Sequence, residues 1–174
     1  MNAHVTLITG PRASGKSTFA AELHQALAGS VLLCADDPFH QVMDVNRERW
    51  IGRETELYAV ILRHELALAR DLALEGCCVI VDATVLPGQV APLQETPAPE
   101  VSIVVLLPPL EECLANEHRS TRTVLVREEK VRTTWQEMQE WRAVPGLPVH
   151  IVDGTEPERR KTLSAMMEEA RAEL

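Results

Sequence analysis

Val5-Thr6-Leu7-Ile8-Thr9-Gly10-Pro11-Arg12-Ala13-Ser14-Gly15-Lys16-Ser17-Thr18 decides the reading of this chain. Four β-prone residues, 5–8, lead into the spacing G-x-x-x-x-G-K-[ST], and Phe19, Leu23 and Leu27 then recur at helical intervals. A strand, a glycine-rich turn and a helix in that order make a phosphate-binding loop. The glycines let backbone N–H groups converge on phosphate oxygens, Lys16 reaches the β- and γ-phosphates, and the Ser17 hydroxyl is placed to ligate magnesium. The helix N-terminus adds its positive dipole end. Gly10, Arg12, Ala13, Ser14, Gly15, Lys16, Ser17 and Thr18 are therefore the expected contacts of a nucleoside triphosphate, with the role of Arg12 left open by the pattern.

Outward from the loop, apolar β-prone runs recur at residues 31–34, 78–82, 101–107 and 149–152, each separated from the next by a helical pattern or a long connection. Helices are expected over 16–28, 55–75, 109–118, 127–143 and 156–172, with Gly76 as the stop after the second of these. This alternation predicts an α/β fold: three layers, α/β/α, around a five-stranded, mainly parallel sheet with a helical lid. Residues 37–54 and 84–100 lack regular periodicity. The latter, with Pro87, Gly88, Pro92, Pro97 and Pro99, reads as a turn, one short helix and a Pro-rich connection. The 174 residues fit one domain, 1–174, with its lid at about 116–128.

Composition narrows the partners. The 17 Lys and Arg against 26 Asp and Glu leave a net charge of −9, which opposes long-range attraction to nucleic acid and favours a small-molecule acceptor. No charged-then-apolar leader and no apolar stretch of membrane-spanning length is present, so a cytoplasmic protein is expected. Cys34, Cys77, Cys78 and Cys113 lack metal-ligand or redox spacing and read as reduced core thiols.

Acidic residues follow two of the strands. Residues 31–34 run into Ala35-Asp36-Asp37-Pro38-Phe39-His40, and residues 78–81 into Asp82-Ala83-Thr84. In an open parallel sheet, ligands bind beyond the carboxyl ends of the strands, so these acids share a rim with the phosphate loop. Phosphoryl transfer needs a carboxylate that accepts the acceptor hydroxyl's proton and orients its oxygen. Asp36, first after its strand, is the favoured base, though Asp37 is not separated from it by pattern; both also suit a turn. Asp82 is placed to support magnesium with Ser17, or else to cap its strand. Asp37, His40 and Thr84 are candidates for the acceptor side.

Asn116-Glu117-His118-Arg119-Ser120-Thr121-Arg122 lies between two expected helices. Two arginines three apart suit a lid that closes on the triphosphate, where Arg119 and Arg122 would neutralise charge on the transferring phosphoryl. Arg127 and Arg132 are explained by pairing with Glu128 and Glu129. Arg47, Arg49, Trp50 and Arg53 form a local basic and aromatic cluster with two equal readings, an acceptor-recognition patch or a Trp on the core flanked by solvated arginines. Trp135, Met138 and Trp141 read as a packing stripe, and Thr155 as a helix N-cap.

In this order, the phosphate loop, Asp36-Asp37, Asp82-Ala83-Thr84 and the lid arginines resemble the small phosphate-loop kinases related to bacteriophage polynucleotide kinase and chloramphenicol phosphotransferase. The resemblance implies that Asp36 is the base and that Arg119, following Asn116, is a lid arginine. It also implies ATP and Mg2+ as cofactors and ATP-dependent phosphorylation of a hydroxyl group. Two departures bear on the acceptor. The R-D-D-Y-R pattern of the polynucleotide kinases becomes Ala35-Asp36-Asp37-Pro38-Phe39, losing an acceptor-binding Arg, and D-[ANT]-T-N-L becomes Asp82-Ala83-Thr84-Val85-Leu86, losing an Asn. With the net charge, these favour a small hydroxyl-bearing substrate over a polynucleotide 5′-hydroxyl. An ATP-binding regulatory module without an acceptor is the alternative of another class. The sequence has no N-K-x-D base-reading motif, which favours ATP over GTP, and it leaves oligomeric state open.

Overall fold

The computed structural model describes residues 4–95, 98–119, 128–144 and 146–172, the side chains of 169–172 excepted. Five strands, β1 (His4–Thr9), β2 (Val31–Cys34), β3 (Cys78–Asp82), β4 (Glu100–Leu106) and β5 (Val149–Val152), form one sheet in the order β2-β3-β1-β4-β5. Every pairing is parallel. The helices are α1 (Lys16–Ala26), α2 (Asp36–Trp50), α3 (Glu54–Leu74), the four-residue α4 (Ala91–Gln94), α5 (Leu110–Arg119), α6 (Glu128–Met138) and α7 (Glu156–Ala172).

Parallel strands connected by helices are covered on both faces, so they read as nearly unbroken apolar runs. All five residues of β3 are buried. The two-residue period of the strands then divides the core. Val5, Leu7, Val79, Val81, Ile103 and Val105 point to one face, where Leu62, Leu66, Ala69 and Ala73 of α3 join Leu93, Met138 and Trp141. Ile8, Ile80, Val104, Leu106 and Val152 point to the other, against Phe19, Ala20, Leu23 and Leu27, with Leu163, Met166 and Met167 of α7 on the outside. These two clusters make the three α/β/α layers that the sequence predicts.

Gly76 ends α3 as expected. At φ 93° it takes a left-handed conformation that costs a residue without Cβ little. Its N–H donates to the Ala73 carbonyl at 2.9 Å and that of Cys77 to Leu72 at 3.0 Å, which satisfies two of the helix's last carbonyls.

Residues 37–54 differ from the sequence reading, for most of them form α2. The helix buries none of its residues, so it carries no apolar stripe for periodicity to reveal, and it breaks at Asn46 (φ −133°, ψ 28°). Asp36, Asp37 and Pro38, which read as turn formers, are its first turn. Acids there meet the positive end of the helix dipole, and a proline lacks only an N–H that would have no intrahelical partner. The segment expected as one helix over 127–143 is α6 followed by a 3-10 turn, Gln139–Ala143, with residue 127 outside the described residues. Between 84 and 100 a 3-10 turn (Pro87–Gln89) precedes α4, as the proline spacing suggests. Among the described residues no helix is long and apolar enough to cross a membrane.

Candidate active site

The loop between β1 and α1 is held open toward its own N–H groups. Gly15 precedes α1 at φ 92°, and no side chain caps the helix or places an acid in its first turn, leaving the terminal N–H groups for an anion. Ala13 also sits at positive φ, 61°, the one such non-glycine residue described. Gly10 is required by close approach. A Cβ there would collide with the Leu106 carbonyl and come within 2.8 Å of Ser14 Oγ. Lys16 and Ser14 are buried, and Ser14 Oγ has no hydrogen-bond partner. Ser17 and Thr18 are exposed on the first turn of α1.

The acids meet the loop through strand register. Asp82 pairs across the sheet with Ile8 of β1 on one side and Cys34 of β2 on the other. The ladder continues one step further, from Ala83 N–H to the Ile8 carbonyl and from Ala35 N–H to that of Asp82, both at 3.2 Å. One carboxyl-end rim therefore carries the loop, Asp82 and the start of α2. Asp82 is buried, only 5% exposed. Its Oδ2 accepts the Cys34 thiol at 3.8 Å, while Oδ1 has no hydrogen-bond partner. Burial, then the charge of Asp82, pushes the Cys34 thiol up to about 11, so it remains a donor. A buried carboxylate oxygen without a partner is a hard-oxygen donor that suits magnesium. Magnesium takes few protein ligands and completes its shell with phosphates and water. No group of three His, Cys, Asp or Glu side chains able to hold a metal occurs among the described residues.

On the acceptor side, Asp36 is half-buried, and Asp37 and His40 are exposed. Phe39 packs edge-on against both His40 and Tyr58, at centroid separations of 5.6 and 5.8 Å. The Thr84 N–H donates to the Tyr58 hydroxyl at 2.9 Å, and the Thr84 hydroxyl reaches the Gly10 carbonyl at 3.5 Å. Burial and the Asp36 charge raise the Tyr58 hydroxyl well above its ordinary range, so it stays neutral.

Glu65, two helical turns along the same face from Tyr58, is pushed up to about 7 by burial and then by Asp37, Asp36 and Asp82. Its Oε2 is buried without a partner. Tyr58 and Glu65 are the site-facing residues that sequence reasoning missed. Their signal was a tyrosine and a carboxylate in register with Leu62, Leu66 and Ala69 of the buried stripe of α3.

The last turn of α5 lies on the phosphate loop. Asn116 Nδ2 donates to the Ala13 carbonyl at 3.1 Å, and Arg12 Nε lies 3.1 Å from both carboxylate oxygens of Glu117. Arg119 folds back on its own helix, donating from Nη2 to Asn116 Oδ1 at 2.8 Å and from Nε to the Ala115 carbonyl at 3.3 Å. Arg122, Arg127 and most of the expected lid lie outside the described residues.

Of the remaining candidates, Arg132 pairs with Glu128 at 3.7 Å. Arg49 and Arg53 flank the Trp50 ring at 5.9 and 5.2 Å, and Arg53 also pairs with Glu56. Trp141 is buried and Trp135 half-buried against the core, as a packing stripe requires. The Thr155 N–H and hydroxyl both bond Glu158 Oε2, at 2.8 and 2.7 Å, in the cap of α7.

Residues 5–145 match a family model described as an AAA domain. No curated protein matches the chain. A sugar kinase from Janibacter sp. HTCC2649 superposes with a TM-score of 0.64 at 19% identity, over 96% of this chain and 91% of that one. A deoxyadenosine kinase from M. mycoides, solved with dCMP and dCDP, gives 0.65 at 14% identity, over 97% and 99%. The Pnkp1/Rnl/Hen1 RNA repair complex gives 0.59 at 20% identity, over 79% of this chain and 44% of that one. At these identities the likeness is one of fold.

Proposed function

The chain belongs to the AAA domain family, and from that premise we propose that it is an ATP- and magnesium-dependent kinase acting on a hydroxyl group of a small molecule. The observation that carries the reading is the shared rim: the uncapped N-terminus of α1 with Lys16, the buried Asp82 and the half-buried Asp36 stand at the carboxyl ends of three adjacent strands. Fold likeness to kinases supports it.

Lys16 and the loop N–H groups would hold the β- and γ-phosphates, and Ser17 and Asp82 would hold magnesium. Magnesium supplies charge neutralisation on the phosphate oxygens. Asp36 takes the proton of the acceptor hydroxyl as its oxygen bonds to the γ-phosphorus. The bond from that phosphorus to the β,γ-bridging oxygen breaks, and ADP leaves. Arg119, released from Asn116, and Arg122 compensate the charge spreading over the transferring group. Positioning and charge compensation are sufficient, with no covalent protein intermediate.

The surroundings of Glu65 bear on the acceptor. The charges that raise it, from Asp37, Asp36 and Asp82, are negative. Such a rim favours an uncharged or cationic acceptor over a phosphorylated or carboxylated one. A polynucleotide 5′-hydroxyl is the second reading, favoured by the fold shared with a component of the RNA repair complex.

The test is magnesium-dependent ATP consumption by purified protein against sugars, nucleosides, aminoglycosides, chloramphenicol and a 5′-hydroxyl oligonucleotide, with Lys16→Ala as control. Acceptor-dependent turnover that vanishes in the control supports the kinase and identifies its substrate class. ATP binding that no acceptor stimulates counts against it and favours an ATP-binding regulatory module.

A further inference from the structure

We propose that Glu117 and Asn116 are positioning residues for the phosphate loop: the last turn of α5 is a strap that sets the loop's nucleotide-binding shape through Arg12 and the Ala13 carbonyl. The inference rests on the nucleotide-binding reading above and assigns Arg12 a part in it different from direct contact with phosphate.

Three observations carry it. Arg12 Nε sits at equal 3.1 Å distances from the two Glu117 oxygens. The Glu117 side chain is only 5% exposed and that of Arg12 29%, so the charge pair is largely withdrawn from solvent. The adjacent residue is Ala13, whose φ of 61° persists only if its surroundings hold it, and its carbonyl takes the Asn116 amide at 3.1 Å. Two consecutive loop residues are thus tied to two consecutive helix residues, immediately before Ser14, Gly15 and Lys16. Nothing else described ties Arg12 or the Ala13 carbonyl, apart from the chain itself.

Asn116 also bonds Arg119, one turn of α5 from the loop contact. Asn116 donates to the loop with its nitrogen and accepts Arg119 with its oxygen. Turning Arg119 toward a triphosphate would break its bond to Asn116 Oδ1, the other end of the amide that holds Ala13.

The experiment is a cycle of Arg12→Met, Glu117→Gln and the double variant, with Arg12→Lys as the conservative replacement. MgATP affinity is read by calorimetry, and hydrogen exchange is followed at the amides of residues 13–17. If the pair works by positioning, each single variant weakens MgATP about tenfold and the double variant is no worse than either, the non-additivity expected of residues acting as one unit. Arg12→Lys recovers most of the loss, and loop amides exchange faster in Glu117→Gln while those of β1 and β3 do not.

The inference is overturned if Glu117→Gln binds MgATP as tightly as, or more tightly than, the parent while Arg12→Met is impaired. That pattern makes Arg12 a direct phosphate ligand. It is equally overturned if the loop amides keep their protection in Glu117→Gln. A parent protein that binds no MgATP, with loop exchange responding as expected, instead removes the nucleotide reading and leaves the strap as structure alone.

Discussion

Replacing Glu65 by glutamine should stabilise the protein at high pH and leave it nearly unchanged at low pH. Folding raises this carboxyl from 4.5 to about 7, through burial and then the charges of Asp37, Asp36 and Asp82. Between those two values the folded chain binds more protons at this position than the unfolded chain, so stability falls as pH rises across the window and stays low above it. A rise of that size corresponds to about 3.4 kcal/mol at about 1.36 kcal/mol per pH unit. Solvent reaches the half-buried group, which reduces the expected effect to about 1–2 kcal/mol.

Glutamine has the shape of the protonated form and does not titrate. Urea unfolding of parent and Glu65→Gln at pH 5, 6, 7 and 8 should therefore give nearly equal free energies at pH 5. By pH 8 the variant should lead by about 1–2 kcal/mol, a difference large enough to resolve by urea unfolding. A difference that does not change with pH would refute the reasoning, because it would mean that Glu65 has the same affinity for protons in the folded and unfolded chains.

Two further substitutions test other parts of the site. Asp36→Asn should lower kcat by about 10²- to 10⁴-fold, the usual contribution of a positioned base, with MgATP affinity almost unaffected; equal losses of both would count against the assignment. Trp141→Phe removes the indole N–H that donates to the Val85 carbonyl at 2.9 Å in the core. With the smaller ring it should cost about 1–3 kcal/mol in chemical denaturation, and an unchanged midpoint would mean that the Thr9 hydroxyl, 3.2 Å from the same carbonyl, satisfies it alone.

Where the sequence was legible, one interaction dominated locally. The loop followed from glycine and lysine spacing, and the strands from apolar residues buried deeply enough to leave a pattern; the helical spacing of Leu57, Val60, Ile61, His64, Leu68 and Leu72 marked α3 but not its buried face, since Val60, His64 and Leu68 are exposed. Asp36 and Asp82 stood out as candidates because each comes at or just after the end of an apolar run, and the sheet's geometry brings such positions to one rim. α2 was not legible, because a helix with no buried residue has no stripe to read. Tyr58 and Glu65 were hidden for the opposite reason: their places in a strongly periodic helix made them look like parts of its packing. The partnership of Arg12 with Glu117 spans 105 residues and depends on where α5 meets the loop, a tertiary fact with no local trace.

The absence of any buried residue in α2 has an evolutionary consequence. Substitutions beyond its first turn remove no core contact, and surface changes of that kind usually alter stability by no more than about 0.5 kcal/mol. Beyond Phe39, which packs on Tyr58, the helix can therefore accumulate changes almost without a folding penalty. On the kinase reading proposed above, natural variation there would diversify the choice of acceptor, while the rim proposed to hold the nucleotide stays fixed by its place between buried strands.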